Sequence, residues 1–251
     1  MPTNSLTMEK SQFESAAFGL HFFRADEEFL LKDISEQRNI IASNSVDVAK
    51  FSIDSTKQDF SERLKAVFPN VTFFNAILNY HKDTTLIEAF PIENDCELVD
   101  AISSDAEVIR QLVSDIFEQN TVGYHKIPFL SKTIKASQEL EAMQLFILSL
   151  LAKPDKGIQF LKMKSDNTII GFTTYSISDG IVYRAYAGII QAYRNINYYE
   201  QLIYAMISYN YRHQLKAITF GVRADNVPII NKYNRLGGKI TSIDYIYIAS
   251  V

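Results

Sequence analysis

The segment "AGIIQAYRNINYYEQLIYAM" (187–206) decides how the second half of this chain folds. Its apolar run up to Ile190 predicts a strand, and the helical spacing that follows predicts an amphipathic helix over 195–208. The first N–H groups of a helix have no partner inside the helix and lie at the positive end of its dipole, so they attract anions. The segment therefore predicts either a phosphate-binding loop or an ordinary strand-to-helix turn in which Asn195 caps the helix.

The loop inside this segment differs from the usual glycine-rich phosphate loop. Asn195 and Asn197 tolerate positive φ better than most non-glycine residues, so they can stand in for glycine. Arg194 adds a positive charge within reach of a phosphate. Tyr199 is the bulky exception, because its ring must leave the place where a small residue lets an anion approach the backbone.

The rest of the chain reads as two α/β halves joined by a polar linker at 84–104. The first half, residues 1–90, alternates strands and helices in the order β-α-β-α-β, with strands at 19–26, 46–54 and 71–83. The second half, residues 91–251, predicts two helices, a three-stranded meander at 157–190, and then helix, strand, helix and strand. We therefore expect an α/β (α+β) fold of two domains, in which helices flank a mixed central sheet.

Composition narrows the possible functions. The chain has 251 residues, 47% of them hydrophobic and 22% charged, and a net charge of −4, as in an ordinary globular protein. Its pI of about 5.6 argues against nucleic-acid binding. The N-terminus lacks the features of a signal peptide and no apolar run is long enough to span a bilayer, so we expect a cytoplasmic protein without membrane contact. The single cysteine, Cys96, is expected in a surface connection with acidic neighbours, which would make it unreactive.

A second motif, "RADNVPIINKYNRLGGKI" (223–240), pairs an amide with a phenol. Asn226 at a strand end can bond a ligand amide, and Tyr233 lies two helical turns further on, so both can face one cleft. A phenol with a pKa of about 10 can donate a hydrogen bond to a leaving thiolate, whose acid has a pKa of about 8.5. The alternative is that Tyr233 is simply a core tyrosine.

Together these motifs resemble the GNAT superfamily of acyl-CoA-dependent N-acetyltransferases. That family has a strand, a V-x-P-x-Y-R-G-x-G-x-G/A loop and a helix, followed later by N-x-x-A-x-x-x-Y-x-x-x-G-F. The positions that match the two patterns are Ile189, Tyr193, Arg194, Asn226, Tyr233 and Gly237, while Asn195, Asn197 and Tyr199 depart from the glycine or small-residue positions.

The resemblance implies a set of site residues. Acetyl-CoA would be the co-substrate, with no metal. The strand ending at Ile189 and Ile190 would pair with its pantetheine arm, and an N–H near Ile190 would polarise the thioester carbonyl. Tyr233 would be the general acid on sulfur. The residues implied for the pyrophosphate are Arg194, Asn195, Ile196, Asn197, Tyr198 and Tyr199, with Asn226 as a further cofactor contact.

Two further stretches are similar to the TDP-fucosamine acetyltransferase group, whose members acetylate nucleotide-linked amino sugars. These are "FESAAFGLHFFRAD" (13–26) and "VGYHKIPFL" (122–130), in which Gly123 and Ile127 replace an arginine and an aspartate. This resemblance implies a truncated GNAT-like first domain, and His125 and Tyr186 are candidate substrate-binding residues. His125 can equally be a loop histidine bonded to the backbone.

The expected reaction is direct attack of a primary amine on the thioester, with a small-molecule amine as the partner and a homodimer left open. Two alternatives stay open. One is a Fem-type aminoacyl or acyl transferase, which also lacks the glycine loop. The other is a catalytically inactive GNAT-like binding or regulatory protein.

Overall fold

A computed structural model of the protein describes residues 8–57, 59–85, 95–118, 123–194 and 197–251. The strands are β1 (Met8–Lys10), β2 (Phe22–Ala25), β3 (Val48–Asp54), β4 (Asn70–Asp83), β5 (Cys96–Asp100), β6 (Lys156–Met163), β7 (Ile169–Ser178), β8 (Ile181–Arg184), β9 (Ala187–Ile189), β10 (Ala217–Arg223) and β11 (Lys239–Ser250). The α-helices are α1 (Gln12–Phe18), α2 (Glu27–Leu31), α3 (Ile34–Ser43), α4 (Phe60–Val67), α5 (Ala106–Phe117), α6 (Ala136–Ser149), α7 (Tyr198–Arg212) and α8 (Val227–Arg235).

The strands form one mixed sheet that runs through both halves of the chain. Its order is β1-β2-β3-β11-β4-β10-β8-β7-β6-β5, with β9 paired to β7. The last strand, β11, lies between β3 and β4 and is antiparallel to both. The mixed sheet flanked by helices confirms the expected fold class. The division into two domains at residue 90 stays a prediction, and within the described residues the hydrogen-bonded sheet continues across it.

Helices cover both faces of the sheet, as the alternation of side chains along the strands requires. Phe22 and Val48 face α1 and α6, whereas their chain neighbours Phe23 and Ala49 face α2, α3 and α4. In the second half, Phe160 packs with α5 and α6, and Leu161 packs with α7. The sheet is therefore the middle of three layers, with α1, α5 and α6 on one face and the other five helices on the opposite face.

The expected linker contains a strand. Cys96–Asp100 is β5, antiparallel to β6, and not a surface connection. Cys96 is 2% exposed because it shares a strand face with Leu98, in the cluster beneath α7. The surface placement of Cys96 was therefore wrong, because alternate residues of a strand face opposite sides and Cys96 faces the core. Burial, with the nearby Asp95, raises the pKa of the thiol to about 11, so this cysteine is unreactive.

No helix in the described residues is both long and apolar enough to cross a membrane.

Candidate functional site

A gap opens in the sheet beyond the end of the β8–β10 pairing. β8 and β10 are parallel neighbours, with Arg184 opposite Phe220 as the last pair. β8 also pairs with β7, and after Arg184 the chain stays beside β7 as β9, with Gly171 opposite Ile189. Glycine permits this close approach, because a Cβ atom on Gly171 would lie 2.4 Å from the Gly188 carbonyl oxygen. β10 continues through Gly221–Arg223 paired to β4, so β9 and β10 diverge.

Some of the backbone N–H and C=O groups beside this gap already have hydrogen-bond partners. The Ile190 N–H donates to the Ile170 carbonyl at 3.0 Å, so in this conformation it cannot polarise a thioester carbonyl as expected. The Ile189 carbonyl accepts from Arg194 Nε at 3.0 Å. Because successive strand residues direct their N–H groups to opposite edges, the Ile189 N–H points away from β7 and toward the gap.

Arg194 is held by backbone carbonyls. Besides Ile189, its Nη2 donates to the carbonyls of Asp115 at 3.2 Å and Ile116 at 2.8 Å. Both belong to the last turn of α5, where unpaired carbonyls and the negative end of the helix dipole favour a cation. The structure thus accounts for Arg194 without an anion, and its phosphate role stays a prediction.

The loop before α7 is only partly described, because Asn195 and Ile196 lie outside the described residues. Asn197 is the N-cap of α7, with φ of −61° and no side-chain cap bond. Its φ is negative, so the expected use of asparagine at a positive φ is wrong at this position. Tyr198 and Tyr199 begin the helix, and their N–H groups have no acceptor within it. The Tyr198 ring packs edge-on against Tyr193, with centroids 5.6 Å apart.

Tyr233 is buried behind the gap, on α8. It is 4% exposed, and its ring stacks on Phe220 with centroids 4.5 Å apart and also contacts Tyr80. Its hydroxyl lies 3.4 Å from the Tyr199 hydroxyl. The Tyr199 ring has therefore left the surface of the loop by turning inward, where it meets the proposed catalytic phenol.

Burial raises the pKa of Tyr233 well above its usual value, and the Tyr199 hydroxyl raises it further while Arg184 acts in the opposite direction. The pKa of Tyr199 is also raised by burial. Tyr233 is therefore a neutral hydrogen-bond donor at physiological pH, which is the protonation state that a group assisting a leaving thiolate needs.

Asn226 is exposed to solvent, whereas Tyr233 is buried. It caps α8, and its carbonyl accepts from the N–H groups of Ile229 and Ile230, both at 3.1 Å. Its side chain is exposed at the sheet edge and makes no cap bond. It remains free to meet a ligand at the mouth of the gap, whereas Tyr233 lies beneath.

On the opposite face of the sheet, Tyr186 contributes to a recess between the two halves. The space enclosed by the recess is about 20 Å³, enough for about one water molecule. Its lining residues are Glu14, Phe18, Arg24, Tyr124, Glu139, Ala142, Met143, Phe146 and Tyr186. The Tyr186 ring packs on Phe117 of α5 and Phe146 of α6.

His125 lies next to the recess and is oriented by a buried carboxylate. Its Nδ1 is 3.0 Å from Glu139 Oε1, which also accepts the His125 N–H at 2.5 Å. Glu139 Oε2 accepts the Gly123 N–H at 2.8 Å. The Glu139 side chain is completely buried, so these three N–H groups are what make its charge tolerable. The His125 ring is therefore bonded through Nδ1 to a side chain.

Sequence reasoning missed Glu14, Arg24, Glu139 and Arg184. The signal for Arg24 was present, since alternation in "FFRA" places this charge on the same face as the core residue Phe22. Arg184 is 4% exposed, donates to Gln159 at 2.8 Å and lies over the rings of Tyr175 and Tyr209. Burial lowers the pKa of Arg184 to about 10.

Across the described ranges, no cluster of three or more histidine, cysteine, aspartate or glutamate side chains could hold a metal ion.

Comparison with known proteins shows the fold. No protein-family profile matches the sequence, and no curated protein matches it. A GCN5-related N-acetyltransferase from Sphaerobacter thermophilus is similar in structure, with a TM-score of 0.61, 9% identity, and coverage of 97% of this chain and 75% of that one. A conserved protein of unknown function from Staphylococcus epidermidis gives a TM-score of 0.65 at 10% identity, covering 99% and 92%. A tandem GNAT protein from the clavulanic acid biosynthesis pathway gives 0.59 at 12% identity, covering 92% and 76%. The chain thus has the fold of these GNAT proteins.

Proposed function

We propose that the protein is an N-acetyltransferase that moves an acetyl group from acetyl-CoA to a primary amine. The observation that supports this most is the divergence of β9 from β10 directly in front of a buried tyrosine on α8. The gap offers a strand edge to an extended ligand, and the N-terminus of α7 lies at the end of the same strand. A thioester placed along β9 would bring its sulfur toward the hydroxyl of Tyr233.

The residues fit acetyl-CoA in part. The Ile189 N–H faces the gap and can bond the pantetheine arm, and the Tyr198 and Tyr199 N–H groups can receive the pyrophosphate. Arg194 Nε donates to the Ile189 carbonyl, whose second lone pair can still accept from a ligand. When bound, acetyl-CoA supplies the activated acyl group.

The chain's own residues then orient the amine and stabilise the leaving group. A deprotonated amine attacks the thioester carbonyl, a C–N bond forms, the C–S bond breaks and the amine proton passes to solvent. Tyr233 donates a hydrogen bond to the thiolate that leaves. For this the Tyr199 hydroxyl must give up its place 3.4 Å from Tyr233.

The geometry gives little support to a nucleotide-linked amino sugar, which is the acceptor that the TDP-fucosamine resemblance implies. Gly123, at the arginine position, has φ of +98°, which favours glycine. Ile127, at the aspartate position, is 3% exposed within the core. Both departures serve folding and supply no group for a sugar nucleotide.

The test is to bind acetyl-CoA and then to change Tyr233. Acetyl-CoA at a hundred times its dissociation constant should stabilise the protein by about 2.7 kcal/mol, measured as a thermal shift. Tyr233→Phe should retain that shift and lose about tenfold or more in turnover of an amine panel, because only the hydroxyl is removed. Tyr183→Phe, at an exposed tyrosine of β8, is the matched control. Absence of any shift with acetyl-CoA, CoA or longer acyl-CoAs would contradict the proposal.

A second candidate is a GNAT-shaped binding or regulatory protein without catalysis. The observation that favours it is the closed site, in which Tyr199, Arg194 and the Ile190 N–H are all bonded within the chain. Acetyl-CoA binding with no turnover of any amine, unchanged by Tyr233→Phe, would favour this candidate.

A further inference from the structure

Arg184 is a buried cation that forms no ion pair with any carboxylate of the described residues. It is 4% exposed, and its Nη1 donates to Gln159 Oε1 at 2.8 Å. Its Nε and Nη2 are also buried and have no hydrogen-bond partner there. Burying a charge is costly unless an opposite charge or hydrogen bonds compensate it. Arg184 therefore brings a positive charge into the core that is compensated only in part.

The groups around the guanidinium supply little negative charge. Its Cζ lies 5.5 Å from the ring centroid of Tyr175 and 5.8 Å from that of Tyr209, and burial raises the pKa of both phenols, so both are neutral at physiological pH. Asp100 is linked to Arg184 through Gln159, whose Nε2 donates to Asp100 Oδ1 at 2.9 Å. Asp100 is exposed, so solvent screens its charge. With a pKa of about 10, Arg184 stays charged at physiological pH.

The position of Arg184 brings this charge to the candidate site. Arg184 is the last residue of β8 that pairs with β10, opposite Phe220, at the point where the gap opens. Residues paired across two strands project from the same face of the sheet. The Phe220 ring stacks on Tyr233 with centroids 4.5 Å apart. Arg184, Phe220 and Tyr233 therefore share the face that α7 and α8 cover.

The phenols that contact Tyr233 are neutral. Tyr80, on β4, contacts its ring, and the Tyr199 hydroxyl, on α7, lies 3.4 Å from its hydroxyl. Burial raises the pKa of both phenols. Arg184 lowers the pKa of Tyr233, against the effects of burial and of the two phenols. The positive charge that acts on the Tyr233 hydroxyl is thus the one that lacks a counterion.

We propose that Arg184 stabilises the negative charge that acetyl transfer produces in front of Tyr233. The inference rests on the proposed function. When the amine attacks, the C–S bond breaks, its electron pair stays on sulfur, and Tyr233 donates a hydrogen bond to the thiolate. Arg184 keeps its proton and touches neither the sulfur nor the acyl group. Its charge acts through the buried interior, where solvent screens it little, and is already in place before the reaction.

The first measurement needs no ligand. 3,5-Difluorotyrosine, whose phenol is a stronger acid than that of tyrosine, is incorporated in place of Tyr233 and titrated by its ultraviolet absorbance. Arg184→Met keeps the aliphatic stem and removes the charge. In this variant the acid dissociation constant of the phenol should fall about tenfold, because a unit charge at this range in a protein interior has an effect of that order. Arg184→Lys keeps the charge and should restore most of the difference.

Two controls locate the effect. The same probe in place of Tyr183, which is exposed and faces the other side of the sheet, should titrate alike in the native chain and in Arg184→Met. Arg212→Met removes a positive charge from the exposed end of α7 and should leave the probe at Tyr233 unchanged. Arg184→Gln is a second neutral variant with a polar side chain. Equal titration of the Tyr233 probe in the native chain and in the neutral variants would overturn the proposal.

The second measurement tests the sulfur. The thiol of bound CoA is titrated by the absorbance of its thiolate, with the complex of desulfo-CoA as the blank. Its acid dissociation constant should be about tenfold lower in Arg184→Met than in the native chain, and close to native in Arg184→Lys. The same thiol titration in the native chain and in both neutral variants would reject a role of Arg184 at the leaving group.

The two titrations separate this inference from the acetyl transfer itself. If the Tyr233 probe responds to Arg184 but neither CoA nor acetyl-CoA binds, the proposed function fails and only the effect on Tyr233 stands. If the protein transfers acetyl groups and neither titration responds to Arg184, the function stands and this inference is wrong.

Discussion

At the scale of residues, the pair Tyr199 and Tyr233 shows how the start of α7 and the middle of α8 meet in the core. Here Tyr199 supplies a hydroxyl 3.4 Å from that of Tyr233 and adds a ring to the buried cluster. The phenol that would assist thiolate departure therefore has a partner before any ligand arrives.

Removing only the Tyr199 hydroxyl should strengthen the binding of acetyl-CoA. In Tyr199→Phe the sulfur of acetyl-CoA no longer competes with a phenol for Tyr233, so its affinity should rise about two- to tenfold, the equivalent of one net hydrogen bond. Titration calorimetry measures this, with Tyr198→Phe as the control in the same turn. A fall in affinity would show instead that the Tyr199 hydroxyl contacts the cofactor.

The pH dependence of the free energy of unfolding should show the contribution of the Lys50 ammonium. Its folded pKa of about 8 is below the ordinary lysine value, so above pH 8 the unfolded chain binds more protons than the folded one. Stability contributed by this residue therefore rises with pH from about 8 upward. Cys96, whose folded pKa is raised, acts in the opposite sense above the ordinary thiol pKa.

Urea unfolding of the native chain and of Lys50→Met between pH 7 and 10 isolates the effect. At pH 7 the free energy of unfolding should be higher for Lys50→Met than for the native chain. This difference should shrink as the pH rises, and Cys96 does not affect it because this residue contributes equally to both proteins. A difference that does not change with pH would show that the Lys50 ammonium is well solvated.

At the scale of elements, Arg194 ties three of them together. Its guanidinium bonds the carbonyls at the end of α5 and the carbonyl of Ile189 in β9, and it lies in the segment between β9 and α7. Such a contact gives hydrogen-bond donors to the unpaired carbonyls at a helix C-terminus and places a positive charge at the negative end of the helix dipole.

Arg194→Met should therefore act on stability. We expect a loss of about 1–2 kcal/mol in the free energy of unfolding, from charged hydrogen bonds to backbone carbonyls. Arg212→Met, at an exposed arginine that donates a 3.4 Å hydrogen bond to the Ser208 carbonyl, should change it little. A variant with native stability and a large loss of acetyl-CoA affinity would assign Arg194 to the phosphate instead.

At the scale of the whole molecule, β11 and β4 join what the sequence presents as two halves. β11 lies between β3 and β4, and β4 pairs with β10 of the second half. The backbone of β3 has no partner on that side without residues 239–250, so the N-terminal half depends on the end of the chain.

Hydrogen exchange in rising urea tests this dependence. Amides of β3, β4 and β10 should converge on one free energy of opening, since losing β11 exposes the edges of both halves. If the amides of β8 and β10 instead opened at a lower free energy than those of β2 and β3, the result would support two independent domains divided near residue 90.

Local pattern alone was sufficient for the strand-helix alternation, the three-layer class and the position of Tyr233 two turns after Asn226. Those features depend on the period of apolar residues and on spacing within one element, both of which are written along the chain. The same reasoning failed at Cys96, where acidic neighbours pointed to the surface although alternate residues of a strand face opposite sides.

Only the tertiary structure decided the rest, because it depends on contacts between distant segments. It placed β11 beside β3 and turned Tyr199 onto Tyr233. It directed Arg194 to α5, 78 residues earlier in the chain, and brought Glu14, Arg24 and Glu139 into the lining of one recess. The sequence by itself determined which side chains could do chemistry; the packing determined which of them already have partners and which, like the buried Nε and Nη2 of Arg184, have none among the described residues.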